Sequence, residues 1–163
     1  MKISESATYD DATPAQVFAL ITDEDFRGDV CEKVHAISHA VRVERSGDEA
    51  TVTIERVMPT EMPDFVKKLV GETVSVTQIE RWGAADAEGN RTADVDVQIV
   101  GQPAGMRGTS TLRVSGADTV LDVDGDVAVK IPFLGKKIEP EVAKAVVSAI
   151  RVEAREGIAR LKA

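Results

Sequence analysis

KKIEPEVAKAVVSAIRVEAREGIARLK, residues 136–162, is the longest periodic stretch in the chain, and its reading decides the architecture. Ala143, Val147, Ile150, Ala154, Ile158 and Leu161 recur at spacings of three and four, with Val146 and Gly157 beside them. At about 3.6 residues per turn they form one apolar stripe, so the segment predicts an amphipathic helix of roughly six or seven turns. A helix of that length needs a broad apolar surface to cover its stripe.

The preceding residues supply that surface as strands. In Arg91–Val100, Ala93, Val95, Val97 and Ile99 face one way and Asp94, Asp96 and Gln98 the other. Arg107–Ser115 and Thr119–Ile131 alternate likewise: Leu112 and Val114 oppose Thr111 and Arg113, while Leu121, Val123, Val127 and Val129 oppose Asp122, Asp124, Asp126 and Lys130. Period-two alternation with one charged face is the pattern of an antiparallel sheet with one side in water. Ser46-Gly47-Asp48-Glu49 joins two further strands, Ile37–Arg45 and Ala50–Met58, as a hairpin. If Arg45 pairs with Ala50, then Val43 meets Val52, Val41 meets Ile54, His39 meets Arg56 and Ile37 meets Met58. A short helix from Pro63 to Leu69, closed by Gly71, separates this hairpin from a strand over Glu72–Trp82.

At the N-terminus, Ile3–Tyr9 alternates as a strand, and Thr13-Pro14-Ala15-Gln16 carries a capping box with proline at the first helical position. Thr22-Asp23 offers a second cap, for a helix from Glu24 towards His35. No repeat, linker or low-complexity tract interrupts the pattern, so residues 1–163 are expected to form a single domain of α+β class. Two short helices follow the first strand, and the apolar face of seven antiparallel strands would be covered by the long C-terminal helix.

The chain has 163 residues, 43% hydrophobic and 29% charged, which suits a folded protein. Its net charge of -8 argues against nucleic acid and anionic membranes as partners. A single cysteine excludes an internal disulfide and a multi-cysteine zinc site. No apolar run approaches the ~20 residues of a membrane span, and the first residues lack a signal peptide's apolar stretch. A cytoplasmic protein without stable membrane anchoring, monomeric or weakly dimeric, is the expectation.

Thr13-Pro14-Ala15-Gln16-Val17-Phe18-Ala19-Leu20-Ile21-Thr22-Asp23 resembles the P-x-x-V-F opening common in the START-like superfamily, also called SRPBCC. Met62-Pro63-Asp64-Phe65-Val66-Lys67-Lys68-Leu69-Val70-Gly71, followed by Gln78-Ile79-Glu80-Arg81-Trp82, resembles an uncharacterised actinobacterial branch of it, a domain of unknown function. That superfamily includes the birch-pollen allergen type, polyketide cyclases and aromatases, and lipid-transfer START domains. The resemblance covers essentially the whole chain and implies the helix-grip fold: a curved seven-stranded sheet wrapped around the last helix, with a cavity between them. It implies no particular reaction, because one fold hosts many functions.

The hairpin register and strand alternation put His39, Arg56, Gln78 and Glu80 on the inner face as a polar island, with Trp82 at its edge. One reading is that the island orients a ligand's polar head or supplies acid–base chemistry through His39, Arg56 or Glu80. The other is an Arg56–Glu80 ion pair that satisfies buried groups. Val95, Val97, Leu112, Val123, Val127, Ile150 and Ala154 are the expected apolar wall.

Other signals carry less chemistry. Asp122-Val123-Asp124-Gly125-Asp126 departs from a calcium loop, with glycine fourth rather than sixth and Phe133 at the twelfth position. An acid–base ladder with Arg107 and Arg113 on the outer face explains it. Cys31 and His35 are one helical turn apart, but no third orienting residue accompanies them. Gly101–Gly108 lacks a phosphate-loop ending and reads as a hairpin loop, with Met106 as a flexible rim residue. Glu141, Glu153 and Glu156 interleave with Lys144, Arg151, Arg155, Arg160 and Lys162 as a solvated helix face. No metal or cofactor is expected.

The leading expectation is binding or transport of a lipid, fatty acyl, isoprenoid or polyketide-like molecule. An aromatic content of 4% favours aliphatic ligands over flat aromatic ones, which prefer stacking partners. The alternatives are a cyclase- or dehydratase-like enzyme using the same polar residues, and an interaction or stress protein whose cavity is filled by its own side chains.

Overall fold

The computed structural model describes residues 1–163. The strands are β1 (Lys2–Tyr9), β2 (Ser38–Ser46), β3 (Glu49–Pro59), β4 (Thr73–Trp82), β5 (Arg91–Ile99), β6 (Ala104–Ser115) and β7 (Asp118–Val129). The helices are α1 (Pro14–Ile21), α2 (Glu24–Lys33), α3 (Asp64–Val70) and α4 (Gly135–Lys162). All seven strands form one antiparallel sheet in the order β1-β7-β6-β5-β4-β3-β2, so β1 and β2 are its two open edges.

Local signals act where the sequence places them. The Thr13 hydroxyl accepts from the Gln16 N–H, and the Gln16 side chain accepts in turn from the Thr13 N–H, which closes the capping box of α1. The Asp23 carboxylate caps α2 by accepting from Phe26 N–H. The β2–β3 hairpin has the expected register: Arg45 opposite Ala50, Val43 opposite Val52, Val41 opposite Ile54 and His39 opposite Arg56. The ladder stops at Ser38–Val57, one pair short of Ile37–Met58, because Ile37 is still leaving α2 and only donates its N–H to Val57.

The region after β5 corrects the loop reading of 101–108. β6 already begins at Ala104, and Met106 is 3% exposed, a core side chain rather than a rim one. Gly105 and Gly108 are strand residues, while Gly101 stays in the turn before β6. A Cβ on Gly105 would lie 2.3 Å from the Val97 carbonyl oxygen, and one on Gly108 only 2.0 Å from that of Asp124. Neighbouring backbones approach there more closely than any side chain allows.

Two cores hold the fold. Beneath α1 and α2, Tyr9, Phe18, Ile21, Phe26, Trp82 and Leu112 pack together, with Phe18 and Trp82 edge to face at 5.9 Å. At the other end, Val66 of α3 and Ile138 and Val142 of α4 join Met106, Val127 and Val129. α4 packs closely on β1 and β7, and Gly157 lets it seat against Tyr9 and Leu20. On the outer face the expected ladder forms, with Arg113 Nε 2.7 Å from Asp122 and Arg107 Nε 3.7 Å from Asp96. No helix is long and apolar enough to cross a membrane.

Candidate functional site

Between the two cores, α4 and the inner faces of β3–β7 stand apart and enclose a cavity of about 650 Å³. Most of its wall is apolar, including Ile54, Val76, Val95, Val97, Val123 and Ile150. Thr60 and Ser110 add buried hydroxyls, and a buried cluster of charged and amide side chains interrupts it. Ladder positions bring the cluster together: Ile54 lies opposite Gln78 and Val52 opposite Glu80, so Arg56, Gln78, Glu80 and Trp82 share the inner face of β3 and β4.

The centre of the cluster is a residue pair only half foreseen. Arg27 of α2 reaches Glu80 through two bonds, Nη1 to Oε1 at 3.1 Å and Nη2 to Oε2 at 2.6 Å, and Nη1 also donates to the Ile21 carbonyl at 2.9 Å. Trp82 Nε1 donates to Glu80 Oε1 at 3.1 Å, and Gln78 Nε2 to Oε2 at 2.6 Å. Four donors therefore occupy the roughly four acceptor positions of the carboxylate. From α4, Glu153 Oε1 stands 3.4 Å from Arg27 Nε. The Arg27 and Glu80 side chains are 3% and 7% exposed.

Electrostatics follow from that geometry. Burial opposes the charge on Glu80, but the Arg27 guanidinium and the donors from Trp82 and Gln78 hold its carboxyl below the ordinary range. Burial likewise opposes the Arg27 charge, yet Glu153 and Glu80 outweigh it and raise that group further above the arginine value. For Glu153 burial wins: with the Glu80 charge adding to it, it pushes the carboxyl up against the pull of Arg27. Burial also pushes the Cys31 thiol up despite Arg56 and Arg27 beside it. The thiolate that a nucleophilic role needs is thus disfavoured.

Arg56 is placed differently. Its only hydrogen bond to an oxygen acceptor is Nη1 to Gln78 Oε1 at 3.2 Å, and no carboxylate is within ion-pair distance of its guanidinium. The expected Arg56–Glu80 pair is thus corrected, because Glu80 is already saturated, largely by Arg27. Burial lowers the Arg56 pKa.

Arg56, Gln78, Glu80, Trp82, Val95, Val97, Val123 and Ile150 line the cavity. His39 does not. It is exposed, and its imidazole lies against Gly28, because α2 covers the inner face of the edge strand there. Leu112 and Val127 are fully buried in the two cores rather than at the wall, and Ala154 also lies outside the lining. Glu153, expected on the solvated face of α4, points inward to Arg27. Arg27 and Glu153 are the residues that sequence reasoning missed, although each lies on an apolar stripe. Arg27 is one turn before Cys31, and Glu153 sits between Ile150 and Gly157 at spacings of three and four.

Comparison with known proteins agrees with this architecture. An uncharacterized protein of Mycobacterium tuberculosis is 32% identical over 117 residues, which cover 68% of this chain. A counterpart in Mycobacterium bovis matches to the same extent. The chain spans 66% of the length of these curated relatives. Among solved structures, a protein from Thermus thermophilus superposes with a TM-score of 0.61 at 16% identity, over 98% of this chain and 99% of that one. A STAR-related lipid transfer protein from Xanthomonas axonopodis superposes with a TM-score of 0.60 at 9% identity, over 96% of this chain and 85% of that one. These likenesses establish the START-like helix-grip fold. Residues 4–159 match the family described as Protein of unknown function (DUF2505), and the chain belongs to that family.

Proposed function

We propose that this protein binds or carries a small hydrophobic or amphipathic molecule in the cavity between the sheet and α4. The observation that carries this reading is a space of about 650 Å³ with mostly apolar walls and a buried cluster of charged and amide side chains. Pockets that bury small ligands have this size and composition, with a few polar groups fixing orientation. Apolar burial against Val76, Val97 and Ile150 supplies affinity at about 25 cal/mol per Å² before ordering costs. The STAR-related lipid transfer name of one structural neighbour is in keeping with a lipid-like ligand. A void of this size speaks against a self-filled cavity. Glu80, with its acceptor positions occupied, is poorly suited to act as a general base in a cyclase or dehydratase. In this reading residues 1–163 act as one ligand-binding domain in the cytoplasm, without a cofactor, as a monomer or weak dimer.

Native mass spectrometry of gently purified protein, followed by organic extraction, tests the proposal. A discrete added mass that partitions into solvent is the expected result. A bare chain that also fails to take up C12–C18 aliphatic probes would overturn it.

A further inference from the structure

The cluster contains two arginines in different situations. Arg27 is satisfied by Glu80, Glu153 and the Ile21 carbonyl. Arg56 lines the cavity with one hydrogen bond to an oxygen acceptor, from Nη1 to Gln78. A guanidinium has five N–H donors and keeps its charge, and removing that charge from water is costly unless an anion faces it. The protein places a carboxylate against Arg27 and none against Arg56. Val76, directly opposite Arg56 on β4, begins an apolar wall that continues through Val97 and Ile99 of β5.

Resting on the cavity reading above, we infer that the ligand is an aliphatic carboxylic acid, bound as its carboxylate to the Arg56 guanidinium with its chain along the β4–β5 wall. The planar fork of arginine pairs with a carboxylate through two parallel bonds. A carboxylate supplies the anion that the protein itself does not set against this guanidinium. A phosphate would bring up to a second negative charge close to Glu80 and Glu153, which already share the site. Gln78 holds the fork by accepting from Nη1, and one of its two N–H groups donates to Glu80, which fixes the orientation of the amide.

The test compares three probes of equal chain length, dodecanoate, dodecan-1-ol and dodecyl phosphate, by isothermal titration calorimetry on the wild-type chain and on Arg56→Met. The expected result is a preference of the wild type for dodecanoate over dodecan-1-ol by roughly 10- to 100-fold, the range of a charge-assisted hydrogen bond. Arg56→Met should lose that preference and keep its affinity for dodecan-1-ol. Equal affinity of the wild type for acid and alcohol would overturn the inference while leaving the cavity reading intact. Tighter binding of dodecyl phosphate would also overturn it, in favour of a phosphate head. Failure of all three probes would remove the cavity reading and this inference with it. The wild-type ranking alone decides the matter should Arg56→Met not fold.

Discussion

Arg27 on α2 and Glu80 on β4 are 53 residues apart in sequence and joined by two hydrogen bonds, at 3.1 and 2.6 Å, in the interior. With Glu153 at 3.4 Å the pair connects α2, the sheet and α4 at one point. Breaking such a pair from one side leaves a buried charge without its partner, whereas removing both charges does not. Glu80→Gln and Arg27→Met are each expected to lower stability by roughly 3–5 kcal/mol, and the double variant, which still leaves Glu153 without Arg27, to recover part of the loss. Urea denaturation of the four proteins, read as a double-mutant cycle, measures the coupling directly.

Glu153 and Glu80 should respond to pH in opposite directions. The Glu80 carboxyl is lowered in the folded state, so its contribution is complete above the ordinary glutamate value of 4.5 and is lost as pH falls through its folded pKa. The Glu153 carboxyl is raised, so ionising it costs stability as pH climbs from 4.5 towards its folded pKa. Arg27, Glu80 and Arg56 are the titratable groups that act on it. Relative to wild type, Glu153→Gln should therefore gain stability between acid and neutral pH. Thermal melts from pH 4 to 7 give the difference, and a gap that shrinks with rising pH would contradict the assignment.

The Tyr9 hydroxyl is buried without a hydrogen-bond partner, and burial raises its pKa, with the Glu153 charge adding to the effect. A buried donor left unsatisfied costs about 1–3 kcal/mol. Tyr9→Phe keeps the ring that packs against α4 and is expected to be neutral or to stabilise by up to about 1 kcal/mol. The midpoint of a urea titration provides the check.

Gly108 faces Gly125 across the β6–β7 ladder, and a Cβ there would come within 2.6 Å of the Gly125 Cα. The atoms in the way are backbone and cannot rotate aside. Gly108→Ala should cost roughly 3 kcal/mol or more, at or above the upper end of the usual range for overpacking. The same change at Gly47 would meet no neighbouring atom and would test only the left-handed turn, at φ 58°. Comparing the two melting points separates backbone approach from turn strain.

The fold was legible because its determinants are local. The capping box, the Gly47-Asp48 turn and the period-two alternation are read from neighbouring residues, and they led to the register of β2 and β3. The site was legible only where strands built it. Gln78, Glu80 and Trp82 share a face by alternation, but Arg27 and Glu153 arrive from helices whose rotation about their own axes depends on packing. Charged residues within an apolar stripe look like interruptions of it until their partner is known. His39 shows the converse: its face was read correctly, while the helix that separates it from the cavity lay outside any local pattern. Met106 was misread because glycines mark loops and close strand contacts alike.

The sheet does not close into a barrel around α4 and the cavity, so the order from β1 to β2 leaves two strands with unpaired backbone groups. Such edges can template pairing with another chain. On β2 the Arg42 and Glu44 side chains, 66% and 64% exposed and paired with each other at 3.0 Å, stand beside the open edge with Arg45 next to them. An incoming strand would have to desolvate them. Charges remote from the cavity thus guard this edge, and neutralising Arg42 and Glu44 together would remove that guard without touching the residues that line the cavity.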